Sequence, residues 1–345
     1  MGRRVAYTWS GLRVEAEAVK MVSADARVAL GRLTSRTQLR TESSFGPREA
    51  LMLGETLDYR ILKVFAHHRN IATEEELNSH AGEAAAQTFE AAMPKMHKLM
   101  RRFGGYLRVD PAKRYLDMGC GTGELTLALA RMGAGQITGV DFVPRSIDTA
   151  RRHAARMGLA NASFECCDLH TWNAQHKYDV LLSFDAFEHI EAPGRFLARM
   201  KELIAPGGVA VMCFGPLFHS PFGDHMWGFF RLQIPWRGVL FSEQAMLRLR
   251  RECFRPTDPA RRLREIAGGL NEMRYSEFLE HVRAAGWQFD YLAVNAIDLP
   301  LVRPLSNALA RVPVLQDFIA HNVCCVLRPA GPSPQSGFRG ASVRR

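Results

Sequence analysis

No run of about eighteen apolar residues occurs in the chain, so the sequence predicts no membrane-spanning helix. A secretion leader is not expected either. Met1-Gly2-Arg3-Arg4 is basic, but Arg13, Glu15 and Glu17 arrive before an apolar segment can form. Ala6 stands where N-myristoylation asks for Ser or Thr. The seven cysteines include no C-x-x-C pair and no His/Cys spacing of the zinc type, so no metal site is expected. An odd cysteine count without a leader fits reduced thiols buried in strands, and with them a cytoplasmic location. No internal repeat is present, which excludes solenoids and propellers.

What remains is a globular composition, 47% hydrophobic and 23% charged over 345 residues. That is enough for one large domain with additions, or two small ones. The formal net charge is +10. Its basic residues spread over Arg3 to Arg40, Arg248 to Arg264 and the tail. Such a balance attracts nucleic acid or an anionic membrane surface. The cations do not interleave with aromatics as a nucleic-acid platform requires, so the expectation is an ordinary basic surface.

The chain changes rhythm along its length. Residues 1–46 show weak periodicity and read as a flexible segment. Residues 47–110 read as a helical cap. Leu51, Leu53, Leu57, Ile61, Leu62 and Phe65 recur near helical spacing, Thr73 with Glu76 has the form of a capped helix start, and Phe89, Met93, Met96, Leu99, Met100 and Phe103 continue an apolar face. From 111 to 329 short strands alternate with helices, which implies βαβ units and a parallel sheet. Strands are expected at Tyr115–Met118, Ile137–Val140, Ala162–Cys166, Tyr178–Phe184, Val209–Phe214, Trp287–Val294 and Val323–Leu327. Residues 215–270 break this rhythm with Phe218, Phe222, Trp227, Phe229, Phe230, Trp236 and Phe241, and read as an insertion after the fifth strand. Residues 330–345 read as a disordered tail.

The sharpest signal is Asp117-Met118-Gly119-Cys120-Gly121-Thr122-Gly123, between a strand and a helix. Glycines there let the backbone turn tightly and approach a ligand, and the helix start adds unpaired N–H groups. It is not the dinucleotide fingerprint, because Glu124 holds the position of that motif's third glycine. D-x-G-x-G-x-G after a first strand resembles the first motif of class I S-adenosylmethionine-dependent methyltransferases. Three further features resemble that family in its order: Asp141 ending the second strand, Cys167-Asp168-Leu169 ending the third, and Leu203-Ile204-Ala205-Pro206-Gly207-Gly208 before the fifth. The resemblance implies a Rossmann-like α/β fold with a seven-stranded, mostly parallel sheet, helices on both faces, an N-terminal helical cap and the insertion after the fifth strand. It implies S-adenosylmethionine as cofactor and S-adenosylhomocysteine as product. Asp117, Gly119, Gly121, Gly123 and Ser183 are assigned to the cofactor. Asp141 would hold the ribose hydroxyls, Asp168 the adenine amino group, and Leu169 and Phe142 the ring; for Phe142 ordinary loop packing stands beside that reading.

Ser183-Phe184-Asp185-Ala186-Phe187-Glu188-His189-Ile190, past the fourth strand, resembles the E-H-I/V element of ubiquinone-biosynthesis-type O-methyltransferases. The catalytic candidates are His189 as general base or orienting group, Glu188 as a group that orients His189 or binds a metal, and His225 of Asp224-His225 as a second polar group in the substrate pocket. For each the alternative is structural: a helix-start histidine, a loop acid, a satisfied histidine. The insertion's aromatics read as lid core or as a substrate wall. The competing expectation is that the insertion forms a homodimer contact or a membrane-surface patch. The expected function is methyl transfer to a small-molecule acceptor, O-methylation before N- or C-methylation. The rivals are a nucleic-acid-modifying methyltransferase, suggested by the charge, and a protein that binds S-adenosylmethionine without methylating.

Overall fold

In the computed structural model the described residues are 57–66, 92–226, 229–254, 260–266, 270–295 and 302–331. The expected helix start at Thr73, the residues Leu51, Leu53, Phe89 and Trp227, and the segment 1–46, which the sequence reads as flexible, lie outside them. So does all but the first two residues of the 330–345 tail. The helices are α1 (57–65) and α2 (92–103), α3 (Glu124–Arg131), α4 (Pro144–Met157), α5 (Pro193–Leu203), α6 (Arg237–Leu240), α7 (Glu243–Cys253), α8 (Tyr275–Ala284), α9 (Val302–Leu309) and α10 (Gln316–Ile319). The strands are β1 (Arg114–Met118), β2 (Gln136–Asp141), β3 (Ala162–Cys166), β4 (Tyr178–Phe184), β5 (Ile204–Phe214), β6 (Trp287–Val294) and β7 (Val323–Pro329).

Strand residues alternate between two apolar cores, which is why this sheet is covered on both faces. In β5, Ala210, Met212 and Phe214 enter one core, with Phe196, Leu197 and Met200 of α5 and Phe278 and Val282 of α8. Val209, Val211 and Cys213 enter the other, with Met96, Leu99 and Phe103 of α2 and Ala128 and Leu129 of α3. The seven strands run in the order β3-β2-β1-β4-β5-β7-β6. The ladders among β1 to β5 are parallel, and β7 is antiparallel to both β5 and β6. This is the seven-stranded, mostly parallel Rossmann-like sheet that the resemblance implied.

Three details differ from the sequence reading. β5 begins at Ile204 rather than Val209, because Ile204 already pairs with Tyr178 and the ladder shifts register before resuming at Val180. Between β6 and β7, where the sequence reading expects no helix, the chain forms α9 and α10. The cysteines are not all free thiols. Cys213 and Cys324 are register partners in the β5–β7 pair, joined as a disulfide, and the other five are free.

The chain divides into two compact units, 84–217 with 271–345, and 1–83 with 218–270. The helical region expected over 47–110 is thereby divided, α2 belonging to the sheet-bearing unit and α1 to the other. In the second unit Tyr59 and Leu62 of α1 pack with Phe218, Phe229, Phe230, Met246 and Leu249. Phe218, Phe229 and Phe230 of the insertion are therefore core residues of this unit. Among them lies a buried ion pair. Arg237 Nε donates to Asp224 Oδ2 at 2.7 Å and its second terminal nitrogen to Oδ1 at 2.9 Å, both side chains being 1% exposed. Arg237 also lies over the Phe230 ring, 4.3 Å from its centroid. Among the described residues no helix is long and apolar enough to cross a membrane.

Candidate functional site

Parallel strands β1, β2, β3 and β4 bring their carboxyl ends to one edge of the sheet, the edge where open α/β sheets bind ligands. Each end delivers a polar group. After β1 the loop Gly119-Cys120 is strapped to β2, both amides donating to Val140 O at 2.8 and 3.0 Å. The glycines then divide their work. Gly119, Gly121 and Gly123 all adopt positive φ, at 78°, 53° and 81°. A Cβ on Gly119 would stand 2.6 Å from Ala186 Cβ, and one on Gly123 2.7 Å from the Phe164 ring, so these two are held to glycine by packing. Nothing lies within 4 Å of a Cβ built on Gly121. Its surroundings are open, as a backbone that faces a ligand requires.

Asp141 ends β2 and organises this loop. Its Oδ2 accepts from the Gly121 amide and its Oδ1 from the Val143 amide, each at 2.9 Å. Each oxygen keeps a second lone pair. Asp117 is buried in β1, and its Oδ2 accepts from the Thr126 hydroxyl at 2.6 Å. Burial pushes its carboxyl up to about 6; the Thr126 bond opposes that, and the Asp141 charge adds to it. Past β3, Asp168 is exposed and its Oδ1 accepts from the His170 amide at 2.9 Å. Leu169 is buried in the core. Phe142, by contrast, is 73% exposed, a large aromatic left uncovered beside Asp141.

The segment after β4 holds the least ordinary groups. Ser183 is fully buried and its Oγ has no hydrogen-bond partner. Glu188 is 3% exposed. Its Oε1 accepts from the Gly215 amide at 3.1 Å, while Oε2 has no partner. Burial pushes its carboxyl up to about 8, and the nearby Asp185 charge contributes in the same direction. Burial thus favours the protonated form of this carboxyl near neutral pH. His189, in the same short turn (Phe187–His189), is exposed.

Three residues that support this edge carry no sequence signal. Thr126 has its hydroxyl on Asp117. Asn271 straps the turn, its Nδ2 donating to Phe187 O and Ile190 O at 2.8 and 3.1 Å and its amide to Glu188 O at 2.9 Å. Lys95 of α2 forms an ion pair with Asp185. Of the expected site residues, Asp117, Gly119, Gly121, Gly123, Asp141, Phe142, Asp168, Leu169, Ser183, Glu188 and His189 belong to the sheet-bearing unit. His225 belongs to the other unit, with φ 53°. Its neighbour Asp224 accepts from Arg237 with both carboxylate oxygens. Among the described residues no group of three or more His, Cys, Asp or Glu side chains is placed to hold a metal ion.

Residues 109–215 match the family model described as a methyltransferase domain. The sheet-bearing unit thus carries a class I S-adenosylmethionine-dependent methyltransferase domain. The chain is 34% identical over 99 residues to the ubiquinone biosynthesis O-methyltransferase of Neisseria meningitidis, covering 28% of this chain and 42% of that protein. To the enzyme of the same name from a Cereibacter sphaeroides strain it is 40% identical over 102 residues, covering 28% and 39%. The chain spans less than half the length of these relatives. Among solved structures it resembles the [4+2]-cyclase SpnF, with TM-score 0.44, 15% identity, and 77% of this chain and all of that one covered. It also resembles the geranyl diphosphate C-methyltransferase of Streptomyces coelicolor A3(2), with TM-score 0.44, 13% identity and 69% and 79% covered.

The cofactor of this class is S-adenosylmethionine, and the residues present fit it. The molecule offers a ribose diol, an adenine and a sulfonium cation. The edge offers the spare lone pairs of Asp141, the exposed Asp168 and Phe142, an uncrowded backbone at Gly121 and buried polar atoms without partners on Ser183 and Glu188.

Proposed function

We propose that this chain transfers a methyl group from S-adenosylmethionine to a hydroxyl of a small-molecule acceptor. One observation carries the reading: a carboxyl, Glu188, buried at the end of β4 with Oε2 unpartnered, on the sheet edge that holds Asp141 and the open Gly121. An unsatisfied buried polar atom is costly, so Oε2 calls for a partner, and a ligand at this edge would supply one. S-adenosylmethionine supplies a methyl group on a positively charged sulfur, ready for in-line displacement by an acceptor oxygen. Asp141 accepts hydrogen bonds from the ribose hydroxyls through its free lone pairs, and Asp168 receives the adenine amino group. Protonated Glu188 donates from Oε2 and orients the acceptor or the cofactor's polar end. His189, at the exposed end of the same turn, takes the proton that the acceptor hydroxyl loses.

O-methylation also agrees with the names of the relatives that the chain matches over 99 and 102 residues. A second reading, methylation of a nucleic acid, rests on the net charge of +10, and binding that falls steeply with salt would favour it. The direct test measures S-adenosylhomocysteine release against a panel of phenols, catechols, amines and short RNAs. Turnover confined to hydroxyl acceptors, and lost in His189→Ala by about a hundredfold or more, is the expected result. Turnover confined to amines or RNA would replace the reading.

A further inference from the structure

Lys95 lies on α2, in a stretch where none of the site motifs occurs. Its Nζ stands 2.7 Å from Asp185 Oδ2, across 90 positions of sequence. Asp185 is the first residue after β4. Its φ of 51° lies in the left-handed region, which non-glycine residues occupy only when their surroundings hold them there. Its amide donates to Cys213 O at 2.8 Å, fixing the backbone on one side. The Lys95 ammonium holds the side chain on the other.

The segment that starts there touches both halves of the site. Ala186 packs so close to the glycine loop that Gly119 has no room for a Cβ. Two positions further on, Glu188 presents its unpartnered oxygen. Burial does not force Lys95 into this contact, because the two side chains are 39% and 38% exposed. The charges around the turn add to the case. The Lys95 cation lowers the proton affinity of both Asp117 and Glu188, against Asp141 beside the first and Asp185 beside the second.

We propose that Lys95 is a positioning residue of the cofactor site, whose ion pair with Asp185 holds the segment Asp185–His189 against the glycine loop in the conformation that receives S-adenosylmethionine. This rests on the methyl-transfer reading, and the test has an arm that does not. In the ligand-free protein, amide hydrogen exchange of a peptide covering Asp185–Ile190 should quicken in Lys95→Met by about two- to fivefold, the range expected of a partly exposed ion pair. Lys95→Arg should restore it. In the second arm, calorimetry with S-adenosylhomocysteine should show Lys95→Met and Asp185→Asn each weakening binding by a similar factor. The double variant should be no weaker than either alone, since both remove one interaction.

Exchange in Lys95→Met equal to the wild type would overturn the proposal, as would losses that multiply in the double variant. Wild-type protein that binds no S-adenosylhomocysteine, while the exchange arm behaves as expected, would instead remove the methyl-transfer reading and the cofactor half of the proposal with it. Melting temperatures of all four proteins separate local loosening from loss of fold.

Discussion

Asp141 serves the glycine loop and the proposed cofactor with one carboxylate, so a substitution there acts on both. Asp141→Ala strips the acceptor from the Gly121 and Val143 amides and from the ribose. Hydrogen bonds to charged groups contribute about 1.5–3 kcal/mol, so affinity for S-adenosylhomocysteine should fall roughly tenfold to a hundredfold. Asp141→Asn keeps one acceptor oxygen and should fall between. Unchanged calorimetric affinity in the alanine variant would remove Asp141 from the site. Glu188 makes a different prediction. Its folded-state pKa stands above its unfolded value, so its contribution is fully present below about 4.5 and is lost as pH rises through about 8. Asp117 acts in the same sense over a lower window, from 3.8 to about 6. Thermal melts across pH should therefore show wild-type stability falling from weakly acid to weakly alkaline conditions, and Glu188→Gln should flatten most of that fall above pH about 6. Parallel curves for the two proteins would sink the idea. The residues legible in the sequence are those clustered within a motif, such as Asp117 with Gly119 or Glu188 with His189. Lys95 and Asn271 were not, because each acts on a partner 80 or more positions away. Asp224 read naturally with adjacent His225, yet its charge is satisfied by Arg237, thirteen positions on.

Among the secondary elements, the β1–α3 loop shows how one motif distributes unlike tasks over like residues. Gly119→Ala and Gly123→Ala each force a Cβ into a neighbour while keeping a positive φ, and should cost about 1–3 kcal/mol in denaturant melts. Gly121→Ala meets no neighbour and should cost about 1 kcal/mol of stability, with its larger effect on cofactor affinity. If Gly121→Ala proved the most destabilising of the three, the division of labour would be wrong. Central strands such as β4 were readable because burial on both faces leaves an apolar run bounded by polar turns. The start of β5 was not. Pro206-Gly207-Gly208 has the composition of a turn, but the pairing of Ile204 with Tyr178 carries the strand through it. The helices α9 and α10 are short, and proline composition concealed them.

At the scale of the whole molecule, the smaller unit encloses the Asp224–Arg237 pair in its interior. Removing one member leaves the other charged in an apolar interior, a loss of about 3–5 kcal/mol. Arg237→Met should therefore lower the melting temperature and expose the unit to protease, whereas Asp224→Leu combined with Arg237→Met should recover much of the loss, as apolar replacements of buried pairs often do. Wild-type melting in the single variant would show that the pair carries no stability.

That unit is also assembled from two stretches of chain separated by most of the sheet. Tyr59 and Leu62 wait for Phe229, Met246 and Leu249, and all five strands from β1 to β5 are made in the interval. A ribosome adds about 5–20 residues per second, so the apolar face of α1 spends roughly ten to forty seconds outside the exit tunnel before its partners emerge. During that time a chaperone or a protease can reach it before its partners cover it. The yield of this protein in a cell should accordingly depend on how fast the middle of its message is translated.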